Sequence, residues 1–134
     1  MKNQEKLYLA PEVVNPELKL PLMGDKIDIF ALGVMLFICL FKQPPFQRAS
    51  LRDSFYRLLN SKNEKQQEMF FRVHPALKGV TLPDDLKTLI KDMLCIDPAS
   101  RLTARELLMN PWICSKKHSP QEVSNVENSS LKYQ

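Results

Sequence analysis

Residues 28–41, DIFALGVMLFICLF, place one acid ahead of thirteen residues without a charge, amide or hydroxyl. A helix rises about 1.5 Å per residue, so crossing a bilayer takes about 20 apolar residues, whereas a run of roughly 10 to 14 marks a core helix. The run is too short to span a membrane, and it sits well inside the chain with no basic leader, unlike a secretory signal. Asp28 suits the N-cap of such a helix, and Lys42 with Pro44-Pro45 closes its other end. A helix that is apolar on every side has to be surrounded by protein, so the run predicts the axis of a domain around which the rest of the chain wraps.

The 134 residues and their 44% hydrophobic content fit one domain with a single core. Cys39, Cys95 and Cys114 are odd in number, widely spaced and set mostly among apolar residues. They read as reduced packing residues of a reducing compartment, and a cytoplasmic location is expected. His74 and His118 lie far apart without a neighbouring ligand pair, so no metal site is expected. The net charge of +4 is carried by residues such as Arg48, Arg52, Arg57, Lys62 and Lys65, scattered among polar and acidic ones. That pattern describes a solvated face; neither a nucleic-acid nor a membrane partner is expected.

Pro11, Pro16, Pro21 and Gly24 forbid a long helix over residues 1–27, which read as irregular chain. From Ser50 to Asn60, the spacing of Leu51, Phe55, Leu58 and Leu59 predicts an amphipathic helix with Ser50 as its cap. Polar SKNEKQQE follows, then Met69, Phe70 and Phe71, read as a short helical turn packed on the core. Leu86, Leu89, Ile90, Met93 and Leu94 form one apolar stripe behind Pro83, which suits a first helical turn. Asp97-Pro98 breaks the pattern. Thr103 and Glu106 then make a capping box for a helix Ala104 to Met109, ended by Asn110-Pro111. Residues 115–134 carry too little apolar surface to offset their ordering entropy and are expected to form a disordered polar tail. No strand signal or internal repeat occurs, so the fold class is mainly α.

Four stretches acquire meaning from their order. YLAPEVV (8–14), DIFALGVMLF (28–37), PPF (44–46) and LIKDMLCIDPASRLTARELLMNPWI (89–113) together resemble the later half of a eukaryotic protein kinase domain. The resemblance implies a helical kinase C-lobe over residues 1–114, built around a buried central helix, with the N-lobe absent. The Phe30-Ala31 pair replaces the Trp and Ser common in that helix, a change of packing more than of topology. Tyr8 before L-A-P-E, where tyrosine kinases usually have Trp, implies the serine/threonine class.

The same resemblance assigns roles. Glu12 matches the A-P-E glutamate and Arg101 the arginine of the D-P-x-x-R turn, which pair in the family's interior. Read without the family, both are ordinary surface charges. Asp28, besides the N-cap reading, matches an anchor for backbone N–H groups of the catalytic loop. Tyr8, Leu9 and Ala10 match the floor of the groove beside the phosphoacceptor. The helix near Ser50 matches a surface used by docking proteins.

Phosphoryl transfer needs a glycine-rich loop over the phosphates, an N-lobe lysine, a catalytic aspartate with its asparagine, and a metal-binding aspartate. G-x-G-x-x-G, V-A-I-K, H-R-D and D-F-G do not occur in these 134 residues, and Glu5 stands where the family has a threonine before A-P-E. The resemblance therefore implies ATP and Mg for an intact kinase but no cofactor, metal or catalytic residue in this chain, which alone is expected to be inactive. Two functions remain: a fragment of a serine/threonine kinase, or a non-catalytic module derived from one that binds a protein substrate or docking partner. An unrelated helical bundle is the third reading. A lobe lacking its neighbouring segments also exposes apolar surface, so self-association is expected.

Overall fold

The central helix α2 runs over Gly24–Phe41, longer than its apolar run. In the computed structural model, which describes residues 3–115 and only the backbone of residues 3–5, the elements before it are short. They are a 3₁₀ turn Asn3–Tyr8, a one-turn helix α1 (Pro11–Val14) and a second 3₁₀ turn Pro16–Leu18. Residues 1–27 are thus less irregular than their prolines suggest. Pro11 and Pro16 each occupy the first turn of an element, where the missing N–H has no intrahelical partner to lose. After α2 come α3 (Ser54–Leu59), α4 (Glu64–Val73), a 3₁₀ turn Pro75–Leu77, α5 (Asp84–Met93), α6 (Ala104–Leu108) and α7 (Pro111–Cys114). No strand occurs among the described residues. The expected tail beyond Ser115 and the start at Met1 lie outside them.

Two expectations about α2 are corrected. Its N-cap is Met23, whose carbonyl accepts the Ile27 N–H at 2.9 Å, so Asp28 stands in the second turn and caps nothing. The apolar run marks where burial begins; Gly24, Asp25 and Lys26 already hold helical backbone, with Asp25 as the acid beside the positive helix end. Nor is the helix covered all round. Ile29, Phe30, Val34, Phe37 and Phe41 are buried, but Leu32 and Met35 are 44% and 48% exposed. The Asn3–Tyr8 turn and α5 pack on α2, and Phe46, Tyr56 and Phe70 reach its Phe30 and Phe37.

The contact with α5 is close because Gly33 has no side chain. A Cβ there would lie 2.9 Å from Met93 Cβ and from Leu94 Cδ2. Leu86, Leu89, Ile90, Met93 and Leu94 are all buried, as the stripe predicts. The helix expected from Ser50 begins instead at Ser54, because Asp53 is the better cap: its Oδ1 accepts from the N–H groups of Phe55 (3.0 Å) and Tyr56 (3.2 Å). Leu51 is left outside the helix and exposed. The turn expected at Met69–Phe71 is the end of the ten-residue α4, opened by an Asn63 cap, in which the polar residues face solvent while Phe70 and Phe71 enter the core. The Thr103–Glu106 capping box is formed. Asn110 ends α6 and caps α7 through Oδ1, which accepts the Trp112 N–H at 2.9 Å.

The aromatic core has two centres. Phe30, Phe46 and Tyr56 cluster at one level of α2, and Phe37, Phe55, Phe70 and His74 about two turns further along the same side. The cysteines correct the packing reading: Cys39 and Cys114 are exposed, and only Cys95 is half-buried. Arg48, Arg52, Arg57, Lys62 and Lys65 are all exposed. Among the described residues no helix is long and apolar enough to cross a membrane.

Candidate functional site

Charged groups rarely enter a core this small, yet Glu12, Lys26 and Arg101 are all buried and adjacent. Glu12 arrives there because Pro11 starts α1 and directs the first turn inward. Arg101 arrives through the turn after α5, where Asp97 Oδ1 accepts the Ala99 N–H at 3.0 Å and Oδ2 the Ser100 hydroxyl at 3.0 Å. The guanidinium is bidentate on the carboxylate: Nη1 donates to Glu12 Oε2 at 2.8 Å and Nη2 to Oε1 at 2.9 Å. Nη1 also donates to the Lys26 carbonyl at 2.9 Å, and Nε to the Cys95 carbonyl at 2.9 Å. The cation lies 5.1 Å from the centre of the Phe30 ring, at the position where Trp was the expected family residue.

Lys26 closes the node by donating from Nζ to the Arg101 carbonyl. Each of the two cations thus bonds to a backbone carbonyl of the other residue. Beside them the Tyr56 hydroxyl donates to the Leu94 carbonyl at 3.2 Å, and burial pushes its pKa well above 10.0, against the lowering pull of Arg101. No buried side-chain nitrogen or oxygen among the described residues lacks a hydrogen-bond partner.

Sequence reasoning missed four members of this frame. Lys26 was hidden because a lysine beside two acids reads as surface. Asn15 Nδ2 donates to Pro11 O (2.9 Å) and Ala49 O (2.8 Å), tying α1 to the loop before α3. Asn60 receives the Ile96 N–H at 2.8 Å and so holds the turn that leads to Arg101. Asp53, besides capping α3, accepts the Gln47 N–H at 2.9 Å. Only Asp53, two residues before Phe55 at the head of an amphipathic run, left a readable signal.

The other sequence-derived residues lie apart from the ion pair. Ala10 is fully buried, Leu9 half-buried and Tyr8 exposed, so the stretch forms a graded edge. Asp28 is exposed on α2, and no described group donates a hydrogen bond to its carboxylate. The side chain of Glu5 lies outside the described residues. A polar groove of about 270 Å³ between α4 and α5 is lined by Glu64, Gln67, Glu68, Asp84, Lys87 and Lys91 among others.

The residues present do not fit nucleotide and magnesium. No group of three metal-ligating side chains occurs among those described, and Gly24, Gly33 and Gly79 stand in three unrelated places. Gly33 is packed against α5 and cannot cradle a phosphate.

Comparisons with known proteins agree with this geometry. The family described as protein kinase domain matches residues 3–113. Serine/threonine-protein kinase 33 of Mus musculus is 34% identical over 120 residues, covering 90% of this chain and 22% of its own length. Calcium-dependent protein kinase 24 of Oryza sativa subsp. japonica is 32% identical, covering 94% of the chain and 22% of its own length. The calcium/calmodulin-dependent protein kinase type II alpha chain of Drosophila melanogaster is 32% identical, with 90% and 20% covered. The chain therefore spans about a fifth of the length of these relatives. In structure it resembles the Rad53 kinase domain with SCD2 at a TM-score of 0.57 and 21% identity, covering 96% of this chain and 46% of that one, a likeness of fold.

Proposed function

The chain belongs to the protein kinase family, and on that premise we propose that it is the C-lobe part of a serine/threonine protein kinase, supplying its frame and protein-facing surface without the phosphoryl-transfer groups. The observation that carries this reading is the bidentate Glu12–Arg101 pair, because it ties A-P-E to D-P-x-x-R beside the D-x-x-x-x-G helix. ATP and Mg belong to the intact kinase. Tyr8, Leu9 and Ala10 serve as the floor of the substrate groove there, Asp28 as the anchor of the catalytic loop, and the surface around α3 as a docking site for a protein partner in the cytoplasm. Residues 1–114 form the kinase unit and the remainder a polar tail.

The test is a phosphorylation assay of the pure 134-residue chain with Mg-ATP and a generic Ser/Thr peptide. No transfer is expected. Magnesium-dependent transfer that disappears in Arg101→Ala would overturn the reading. A second reading, a self-sufficient interaction module, is favoured by the pairing of every buried polar side chain among the described residues. Genomic sequence upstream of Met1 separates the two: an in-frame H-R-D and D-F-G supports the kinase part, and their absence supports the module.

A further inference from the structure

Charge is separated around α4. Residues 43–82 carry seven basic and three acidic side chains, and so the whole of the chain's net charge of +4; the remainder is balanced. All seven cations are exposed. The acids are turned elsewhere: Asp53 accepts N–H groups of its own loop and of α3, and Glu64 and Glu68 line the groove toward α5, where Glu68 meets Lys87. At about 100° per residue, Lys65, Met69, Arg72 and Val73 fall on the side of α4 opposite the buried Phe70 and Phe71. All four are exposed, Met69 by 47% and Val73 by 49%. Among the described residues no carboxylate pairs with Lys65 or Arg72. Met69 thus lies between two unpaired cations, about one turn from each, with Val73 beside it. The catalytic loop of the kinase reading belongs at Asp28, near the start of α2, whereas Phe70 packs against Phe37 near its end, and the outward face of α4 points away from both.

We infer that the outward face of α4 docks an acidic segment of another protein, with its carboxylates against Lys65 and Arg72 and an apolar side chain against Met69 and Val73. The inference deepens the docking reading of the surface around α3, which packs on α4, and rests on it. The sign of the uncompensated charge selects an acidic partner. Two features select protein over other polyanions. Residues 43–82 present no exposed aromatic ring on which a nucleic-acid base would stack. Two apolar side chains on one face are too few to seat a helix among lipid chains. A phosphate backbone would use the cations and leave Met69 and Val73 in water, whereas an acidic segment with an apolar residue covers all four. Every one of these contacts is at the surface, so the affinity is modest and falls with salt.

The probe is a fluorescently labelled peptide of glutamates with two leucines one helical turn apart, titrated with the full 134-residue chain and followed by anisotropy. Saturable binding is expected, weaker at high salt. Lys65→Glu together with Arg72→Glu should weaken it about tenfold. Met69→Ser, or serine in place of the leucines of the peptide, should weaken it about two- to fivefold. Arg105→Glu, the same charge change at an exposed residue of α6, should alter it by less than about twofold, and every variant should keep its circular-dichroism spectrum. The inference is overturned by no saturable binding up to about 1 mM, by equal losses from Arg105→Glu and the α4 pair, or by indifference to both Met69→Ser and the loss of the leucines. Tighter binding of polyadenylate RNA or of phosphatidylserine vesicles through the same face would overturn it as well. A lysine version of the peptide that binds as tightly as the glutamate one would overturn the acidic chemistry and leave the docking reading standing, while phosphoryl transfer by the pure chain would count against the kinase reading and leave this titration unchanged. If the paired glutamate variant fails to fold, Lys65→Gln with Arg72→Gln gives the same comparison at a loss of about threefold.

Discussion

Two carboxylate–cation contacts among the described residues are of similar length and lie in opposite surroundings. Glu12 and Arg101 meet at 2.8 Å with both side chains 0% exposed, whereas Glu68 and Lys87 meet at 3.2 Å with side chains 52% and 18% exposed. Chemistry alone would rank them equal. Solvent separates them. Around Glu68–Lys87, water replaces any contact that is lost; around Glu12–Arg101 nothing can, so each charge depends on the other and on the carbonyls of Lys26 and Cys95. The buried pair is consequently a device of specificity, because it joins segments 89 residues apart in one arrangement.

Breaking that pair is expected to have the largest effect. Arg101→Ala strands Glu12 and should cost about 3 to 5 kcal/mol in a denaturant melt, enough to leave the chain largely unfolded. An Arg101→Ala melt within about 1 kcal/mol of wild type, the range of a surface pair, would erase the contrast.

His74 tests the same contrast without an ion pair. It is buried, its Nδ1 accepts the Ala76 N–H at 3.1 Å, and its Nε2 lies 3.1 Å from the Pro44 and Pro45 carbonyls. That arrangement suits a neutral ring with its proton on Nε2, since a second proton would displace the Ala76 contact. Burial lowers the His74 pKa from 6.5, opposed by the two carbonyls and by Asp53. Unfolded chains therefore take up a proton that the fold resists, and stability should decline as pH falls through 6.5, levelling once the folded group also protonates. His74→Phe should cost about 1 to 3 kcal/mol at neutral pH by orphaning the Ala76 N–H, and should remove the His74 part of the pH slope. Melts of the two proteins between neutral and mildly acid pH give the difference directly.

Tyr56→Phe should be milder, about 0.5 to 1.5 kcal/mol, because the Leu94 carbonyl keeps Asn60 Nδ2 as a donor at 3.3 Å. At the far end, Lys87→Ala should cost about 0.2 to 1 kcal/mol, and the loss should shrink further in high salt. Equal losses for Lys87→Ala and Arg101→Ala would mean that burial does not govern these contacts.

How much of this was legible in the sequence depended on whether the signal was local. The stripe of α5 and the Thr103–Glu106 box follow from spacing within a few turns, and they form as read, whereas the 28–41 run is buried along part of its circumference and not all round. The start of α2, the cap of α3 and the extent of α4 were misplaced because apolar periodicity reports burial, whereas helix ends are set by which side chain reaches free N–H groups. For the site, motif order singled out Glu12 and Arg101, but residues alone would have left both at the surface. Lys26, Asn15 and Asn60 carried no pattern at all.

The sequence by itself determined that the chain is helical, that one apolar helix forms its axis and that it belongs with protein kinases, since periodicity and ordered motifs are written along the chain. Tertiary structure alone decided which polar groups are buried and which side of the axis stays open. Both depend on segments distant in sequence arriving at one place, where the removal of water turns an ordinary lysine or arginine into part of a frame and its retention leaves Leu32 and Met35 exposed.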